Sequence, residues 1–301
     1  MSQVDLHIHS TASDGKFSPE AIVNKAAALG LTIIALADHD SVDGIAPALE
    51  AAKAFPKLRV IPGVEISTDM PSGEAHVLGY FIDYTNDELK SALDRFRSSR
   101  QRRAQGMIAK LHDLGIHIDW QRVQEIAGDG AIGRPHIAQA MLEKGYITSI
   151  KEAFTGYIEH GGPAYVEREK MTPAEAVALI VRSKGLPVLA HPFTIDDPEV
   201  MIIKLKAAGL VGIETYYNGY TADEIKSLIS LADRHSLIAT GGSDYHGLDD
   251  SDETMLGSVE VPEESAERLI ALAEERALKP TTSHSRQQPI SNPIPRQNHD
   301  L

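Results

Sequence analysis

Six histidines and three carboxylates are scattered over almost the whole chain, several of them just after runs of β-branched and apolar residues. They are His7 and His9 in DLHIHS, Asp14 in SDG, His39 in ADHD, Glu65 in GVEIS, His76 in EAHVLGY, His191 in LAHP, and Asp244 and His246 in GSDYHG. Imidazole and carboxylate are ligands of borderline and hard divalent metals. Each has an ordinary alternative when taken singly: a packed imidazole, a turn at Asp14-Gly15, a helix cap at Ser243-Asp244. The joint pattern is harder to explain that way. These are six of thirteen histidines, each in a short loop or beside Asp, Glu or Gly, whereas His112, His117, His136, His160, His235, His284 and His299 do not share that placement. His7-x-His9 is the tightest pair, because alternate residues of a strand project to one side and can clasp one ion. A fold that gathers all nine groups would hold a cluster of metals.

The chain has no cysteine, so disulfides and thiolate sites are excluded and any metal is held by nitrogen and oxygen. The formal charge of −14 argues against sequence-independent binding to duplex nucleic acid. It does not exclude an anionic substrate, because divalent ions beside Asp14, Glu65 and Asp244 would reverse the local sign. No segment resembles a signal peptide, and none approaches the roughly 18 consecutive apolar residues of a membrane helix. A cytoplasmic location, no membrane association and no obligate protein partner are the expectations.

Seven segments read as strands: Val4–His9, Leu31–Asp38, Arg59–Ile66, Ala75–Asp83, Leu186–Ala190, Val211–Tyr216 and Leu237–Gly241. Amphipathic helical stretches lie between most of them. Pro19–Leu29 follows a capping Ser18, and Thr172 precedes Pro173 in the same way; Asp197–Ala207, Ala222–Ala232 and Pro262–Ala273 complete the series. This alternation is an α/β pattern of largely parallel strands with helices outside. Candidate ligands at the C-terminal ends of that many strands favour a closed barrel over an open sheet. His76 precedes its strand instead, which a hairpin turn at Met70-Pro71-Ser72-Gly73 would explain by folding it back beside Glu65 and Ser67.

Residues 86–167 break the alternation and read as a small helical subdomain inserted into a discontinuous barrel of residues 1–85 and 168–280. A long helix carries Leu89, Leu93, Phe96, Ile108 and Leu111. The Gly-rich stretch Gly128–Arg134 leads into helices at His136–Glu143 and near Ile150–Glu159. Residues 281–301 are polar and aperiodic and read as a disordered tail. The run Arg95, Arg97, Arg100, Arg102 and Arg103 on the long helix is expected to be a solvated face with carboxylate partners. It would bind phosphate only if it turned toward the metal cleft.

Asp5–Ser10 with Ser13-Asp14-Gly15, Ala37-Asp38-His39-Asp40, Gly63-Val64-Glu65-Ile66, Ala75-His76, Ala190-His191-Pro192 and Gly242-Ser243-Asp244-Tyr245-His246 resemble the polymerase-and-histidinol-phosphatase (PHP) family of metal-dependent phosphoesterases. The resemblance runs from about residue 2 to residue 275. It implies a distorted (β/α)7 barrel around a trinuclear site. His7, His9, Glu65 and Asp244 would hold one metal, and Glu65 would bridge to a second completed by His76 and His191. Asp14, His39 and His246 would hold the third. Two or three divalent ions are implied; nitrogen and oxygen donors suit manganese, zinc or iron, and manganese is the first expectation.

Such a site acidifies water to hydroxide for in-line attack on phosphorus. Asp38, Asp40 and water are the open candidates for protonating the leaving group. Gly133-Arg134-Pro135-His136 opens a helix, where backbone N–H groups and Arg134 could bind an anion. With Gly145-Tyr146, Ala153-Phe154 and Gly162–Val166, this stretch resembles the PHP branch that acts on nucleotides with two phosphates or on 5′ ends of short RNA. That resemblance implies phosphate contacts for Arg134 and His136. The expected activity is removal of the 3′-phosphate from a nucleoside 3′,5′-bisphosphate. The alternative is 5′→3′ exonuclease action on short 5′-phosphorylated RNA or DNA. Histidinol-phosphate hydrolysis and a non-catalytic module follow behind.

Overall fold

A computed structural model describes residues 3–278, apart from 71–72, 129–131, 168–170 and 248–254 and the side chains of Arg100 and Leu278. The tail expected at 281–301, the centre of the turn at Pro71–Ser72 and part of the Gly128–Arg134 stretch lie outside the described residues.

The seven strands are β1 (Val4–Ile8), β2 (Ile33–Leu36), β3 (Arg59–Met70), β4 (Gly73–Tyr80), β5 (Leu186–Leu189), β6 (Gly212–Tyr217) and β7 (Ile238–Gly242), hydrogen-bonded in chain order. All neighbours run parallel except β4, which is antiparallel to both β3 and β5. Beyond β7, Tyr245 closes the circle. The His9 N–H donates to the Tyr245 carbonyl at 2.9 Å, and the Tyr245 N–H to the His7 carbonyl at 3.3 Å. Gly242 allows the approach, since a Cβ there would lie 2.4 Å from both the amide nitrogen and the Cβ of His7. The result is a distorted, nearly closed (β/α)7 barrel, as expected from the strand count.

Strands such as β1 and β5 are buried along their full length, which suits parallel strands covered by helices. The covering helices are α1 (Pro19–Ala28) and α2 (Ile45–Ala52) before the hairpin. After it come α7 (Pro173–Arg182), α8 (Pro198–Ala208), α9 (Ala222–Arg234) and α10 (Glu263–Leu278). Local chemistry starts them where the sequence suggests. The Ser18 hydroxyl accepts the Ala21 N–H ahead of Pro19, and Thr172 and Glu175 form a reciprocal capping box ahead of α7. Helix α2 is absent from the sequence expectation, because it is short and has no side-chain cap.

The reversed strand explains the insert. Entering β4 by a hairpin puts its first residues at the ligand-bearing rim and its last residue, Tyr80, at the opposite end. The 27-residue helix α3 (Asp87–Asp113), about 40 Å long at 1.5 Å per residue, carries the chain back. Its first half packs Leu89, Leu93 and Phe96 on the barrel core. Its second half, with Met107, Ile108 and Leu111, belongs to a separate cluster with α4 (Trp120–Ala127) and α5 (Arg134–Glu143). Helix α5 begins at Arg134, two residues before the expected start, and α4 was not anticipated. Helix α6 (Ile150–Ala153) runs into a π-type turn at Phe154–Ile158.

Candidate metal centre and substrate cavity

Alternation along β1 sends Asp5 and His7 to one side of the strand, with His9 continuing the row just beyond its end. All three are buried. Strand β3 contributes Glu65, and the β3–β4 register sets Ser67 opposite His76, so His76 meets Glu65 as the hairpin reading requires. Strands β2, β5 and β7 end just before His39, His191 and Asp244. His191 and Asp244 take left-handed backbone conformations, with φ of 23° and 54°. Such geometry costs energy and persists where surrounding contacts hold it, often at functional sites.

The nine expected residues therefore meet at one rim. Glu65 sits at the centre. One of its oxygens, Oε1, lies 2.8 Å from His76 Nδ1 and 3.1 Å from His191 Nε2. The other, Oε2, lies 3.3 Å from His7 Nε2, 3.4 Å from His9 Nε2 and 3.0 Å from His39 Nδ1. Three sets have ligand atoms all within 4.8 Å of one another: His7, His9, Glu65 and Asp244; His39, Glu65 and His76; and His9, Asp14, His39 and His246. His39 thus stands beside Glu65 and His76 as well as beside Asp14 and His246. His191 approaches the cluster through Glu65.

Several of these atoms are buried without an acceptable hydrogen bond: His7 Nε2, both ring nitrogens of His9, Asp14 Oδ1, Glu65 Oε2 and Asp244 Oδ1. Buried polar atoms are ordinarily satisfied. Unsatisfied imidazole and carboxylate atoms converging on common points are what a set of divalent-metal ligands looks like. The residues fit such ions.

Charge within the cluster is strongly coupled. Burial opposes ionisation of Glu65, but the imidazoles of His39, His7 and His76 outweigh it and hold the carboxyl well below its usual range. Asp244 behaves alike, with His7 and His9 overcoming burial. Burial also opposes protonation of His7, yet Glu214, Asp244 and Glu65 together raise it well above an ordinary imidazole. His9 and His76 go the other way, lowered chiefly by burial.

Residues that support the cluster were partly missed in the sequence. Glu214 on β6 lies 2.9 Å from His7 Nδ1 and accepts the His191 N–H at 2.8 Å. Tyr217 donates its hydroxyl to Asp244 Oδ2 at 2.8 Å. Glu214 could have been found, since a carboxylate inside an apolar strand, VGIETYY, needs a partner. Asp38 accepts hydrogen bonds from the Ser10 N–H at 2.7 Å and from the hydroxyls of Ser10 and Ser13 at 2.8 and 2.6 Å. Asp40 accepts the Ser67 N–H at 3.0 Å. Both aspartates thus brace rim loops.

A cavity of about 550 Å³ opens between the cluster and the insert, within the roughly 300–1,000 Å³ range of small-molecule sites. Asp14, His39, His76 and His246 of the cluster line it together with Arg103, Arg134, His136 and Glu74, with Met107, Ile126, Ile132, Ile137 and Phe154 as apolar wall. Arg134 donates to Glu74 at 3.1 Å and lies over the Phe154 ring. His136 Nδ1 accepts the Gly133 N–H at 3.0 Å, so the neutral ring carries its proton on Nε2. The arginine run divides. Arg97 pairs with Asp43 and Asp94 and Arg95 is exposed, as a solvated face requires. Arg103, 9% exposed, turns into the cavity and donates to the Val166 carbonyl.

The PHP domain family model matches residues 5–160. The chain belongs to the PHP family. Among proteins similar to this PHP chain is the 3′,5′-nucleoside bisphosphate phosphatase of Chromobacterium violaceum, 33% identical over 82% of this chain and 88% of that protein. The 5′-3′ exoribonuclease Rnm of Escherichia coli is 34% identical over 80% of this chain and 84% of its own length. A solved structure described as an amidohydrolase from Chromobacterium violaceum, with bound sulfate and no metal, matches with a TM-score of 0.77 at 31% identity. That match covers 91% of this chain and 97% of the other. As a PHP phosphoesterase the chain is a hydrolase, and its His, Asp and Glu groups are of the kind that bind divalent metals. No helix among the described residues is long and apolar enough to cross a membrane.

Proposed function

We propose that this protein is a metal-dependent phosphohydrolase that removes the 3′-phosphate from nucleoside 3′,5′-bisphosphates and leaves the 5′-monophosphate. The observation that carries the reading is one cavity lined both by cluster residues and by a guanidinium pair, Arg103 and Arg134. A substrate with two phosphates can then present one to each group. Likeness to a nucleoside bisphosphate phosphatase and to an exoribonuclease supports the same substrate class.

His7, His9, Glu65 and Asp244 are proposed to hold one ion, Glu65 with His76 and His191 a second, and Asp14, His39 and His246 a third, with manganese as the proposed metal. Bound divalent ions supply Lewis-acid stabilisation of charge on phosphoryl oxygens and acidify water at neutral pH. The protein's own groups orient the substrate. Arg134, with His136 Nε2–H, holds the 5′-phosphate, and the apolar wall of the insert excludes water beside the nucleoside. In this reading residues 86–167 form the specificity module of a barrel composed of residues 1–85 and 168–280. A small nucleotide substrate also fits a cytoplasmic enzyme.

A second reading is favoured by the same arrangement. Exonuclease action from a 5′-phosphorylated end needs the 5′-phosphate in the same place and cleaves the same P–O3′ bond. Phosphate release from adenosine 3′,5′-bisphosphate (pAp) and from histidinol phosphate tests the main proposal, and preference for histidinol phosphate would overturn it. His7→Ala and Asp244→Ala should abolish turnover and lower bound metal; near wild-type activity in either would refute the ligand assignment.

A further inference from the structure

Aromatic rings that are not part of the cavity lining form a continuous path from the cluster to the surface. His191 shares Glu65 Oε1 with His76, but only His76 lines the cavity. From His191 the ring centroids step 5.5 Å to Tyr217, 5.2 Å to Tyr220 and 5.1 Å to Phe193. The last ring is 41% exposed. An isolated exposed phenylalanine would need no explanation. This one sits two residues after His191 on the short 3-10 turn Pro192–Thr194, and its position is fixed. The Tyr220 hydroxyl accepts the Phe193 N–H at 3.3 Å while the two rings meet edge to face at 71°. At the inner end, Tyr217 is tied to Asp244. A rigid ring held open to solvent beside a phosphoesterase centre is suited to stacking a nucleobase, since every base has a π-face.

We infer that Phe193, braced by Tyr220, is a base-stacking platform for the nucleotide on the 3′ side of the scissile phosphate in a short 5′-phosphorylated oligonucleotide. The inference rests on the proposed placement of the 5′-phosphate near Arg134. The oligonucleotide then runs from the insert cavity, past the cluster, to the β5 and β6 loops. In hydrolysis, water adds its OH to the scissile phosphorus and the P–O3′ bond breaks. The O3′ leaves as the hydroxyl of a 5′-mononucleotide, and the new 5′-phosphate stays on the downstream fragment. A bisphosphate ends at that phosphorus and has no downstream base to stack, so the platform separates the two substrate classes.

The test compares steady-state kinetics on pAp and on the 5′-phosphorylated dinucleotide pApA, using the manganese-loaded full chain, for the wild type, Phe193→Ala and Phe193→Trp. Stacking is worth about 1–3 kcal/mol per base. The ratio of KM for pApA to KM for pAp should therefore rise roughly 5- to 150-fold in Phe193→Ala and return toward the wild-type ratio in Phe193→Trp. An unchanged ratio in Phe193→Ala overturns the platform, as does a wild type that cleaves pAp but not pApA. If the wild type hydrolyses neither substrate, the proposed function fails and the platform falls with it. Bound metal and Tm measured on each variant separate a binding effect from a folding one.

Discussion

Glu214 Oε1 lies 2.9 Å from His7 Nδ1, and the other oxygen of the same carboxylate accepts the backbone N–H of His191 at 2.8 Å. A carboxylate can only accept, so Nδ1 of His7 carries a proton toward Glu214, and Nε2 is the nitrogen that faces Glu65 and Asp244 and would take a metal once its own proton is displaced. One residue on β6 thereby orients groups at two points of the centre. Removing such an outer partner typically lowers metal affinity about 10- to 100-fold. Glu214→Gln should do so with little change in secondary structure; equal metal affinity in a chelator competition would refute the role.

Metal binding should release protons. In the metal-free protein the carboxylates of Glu214, Asp244 and Glu65 outweigh burial and raise His7, while Glu65 does so for His191 and Asp14 for His246. These rings hold their protons more tightly than an ordinary imidazole does, so a cation competes with protons to higher pH than usual and its affinity should climb with pH. Calorimetric titration of manganese at pH 7 in buffers of different ionisation enthalpy checks it. An observed enthalpy independent of the buffer would show that no proton leaves.

Two opposed substitutions test the proposed phosphate contact of Arg134. Arg134→Ala should preserve metal content and raise KM for pAp more than KM for a simple aryl phosphate. Glu74→Gln removes the carboxylate that holds Arg134 at 3.1 Å and should lower KM for pAp severalfold. Shifts of the same sign in the two variants would contradict competition between Glu74 and substrate for one guanidinium.

Gly242→Ala probes closure of the barrel. Its added methyl would meet the backbone of His7 at 2.4 Å, and both partners are strand backbone with little room to move. Overpacking of this kind typically costs about 1–3 kcal/mol. The variant should unfold at lower denaturant concentration and bind less metal, because the displaced strand carries His7. Unchanged stability with unchanged metal content would show that β1 and β7 can separate without cost.

Much of the architecture is legible in the chain because β-branched and apolar runs, the alternation of residue types along a strand and helix capping are local. Ser18 before Pro19 and Thr172 with Glu175 announce their helices; β1 announces its two faces by alternating Asp5 and His7 with Val4 and Leu6. Helix α2 is less legible because Gly44 offers no side-chain cap. Helix α4 is obscured by its short length, and its one fully buried side chain, Val123, finds its core only in the tertiary cluster of the insert. The arginine run shows the same limit: spacing puts Arg97 and Arg103 on one helix, but only the packing of its first half on the barrel and its second half in the insert sends one to Asp43 and the other to the cavity.

The sequence by itself determined the chemistry of the centre. Nitrogen and oxygen donors without sulfur, placed after successive strands, are a property of residue type and order. Their convergence on Glu65, the bracing by Glu214 and Tyr217, and the reach of Phe193 beyond His191 were decided by tertiary structure. Glu214 and His7 are separated by 207 positions, and only closure of β6 and β7 onto β1 brings such residues within hydrogen-bonding distance. Local propensity carries no information about that closure; the packing of the barrel does.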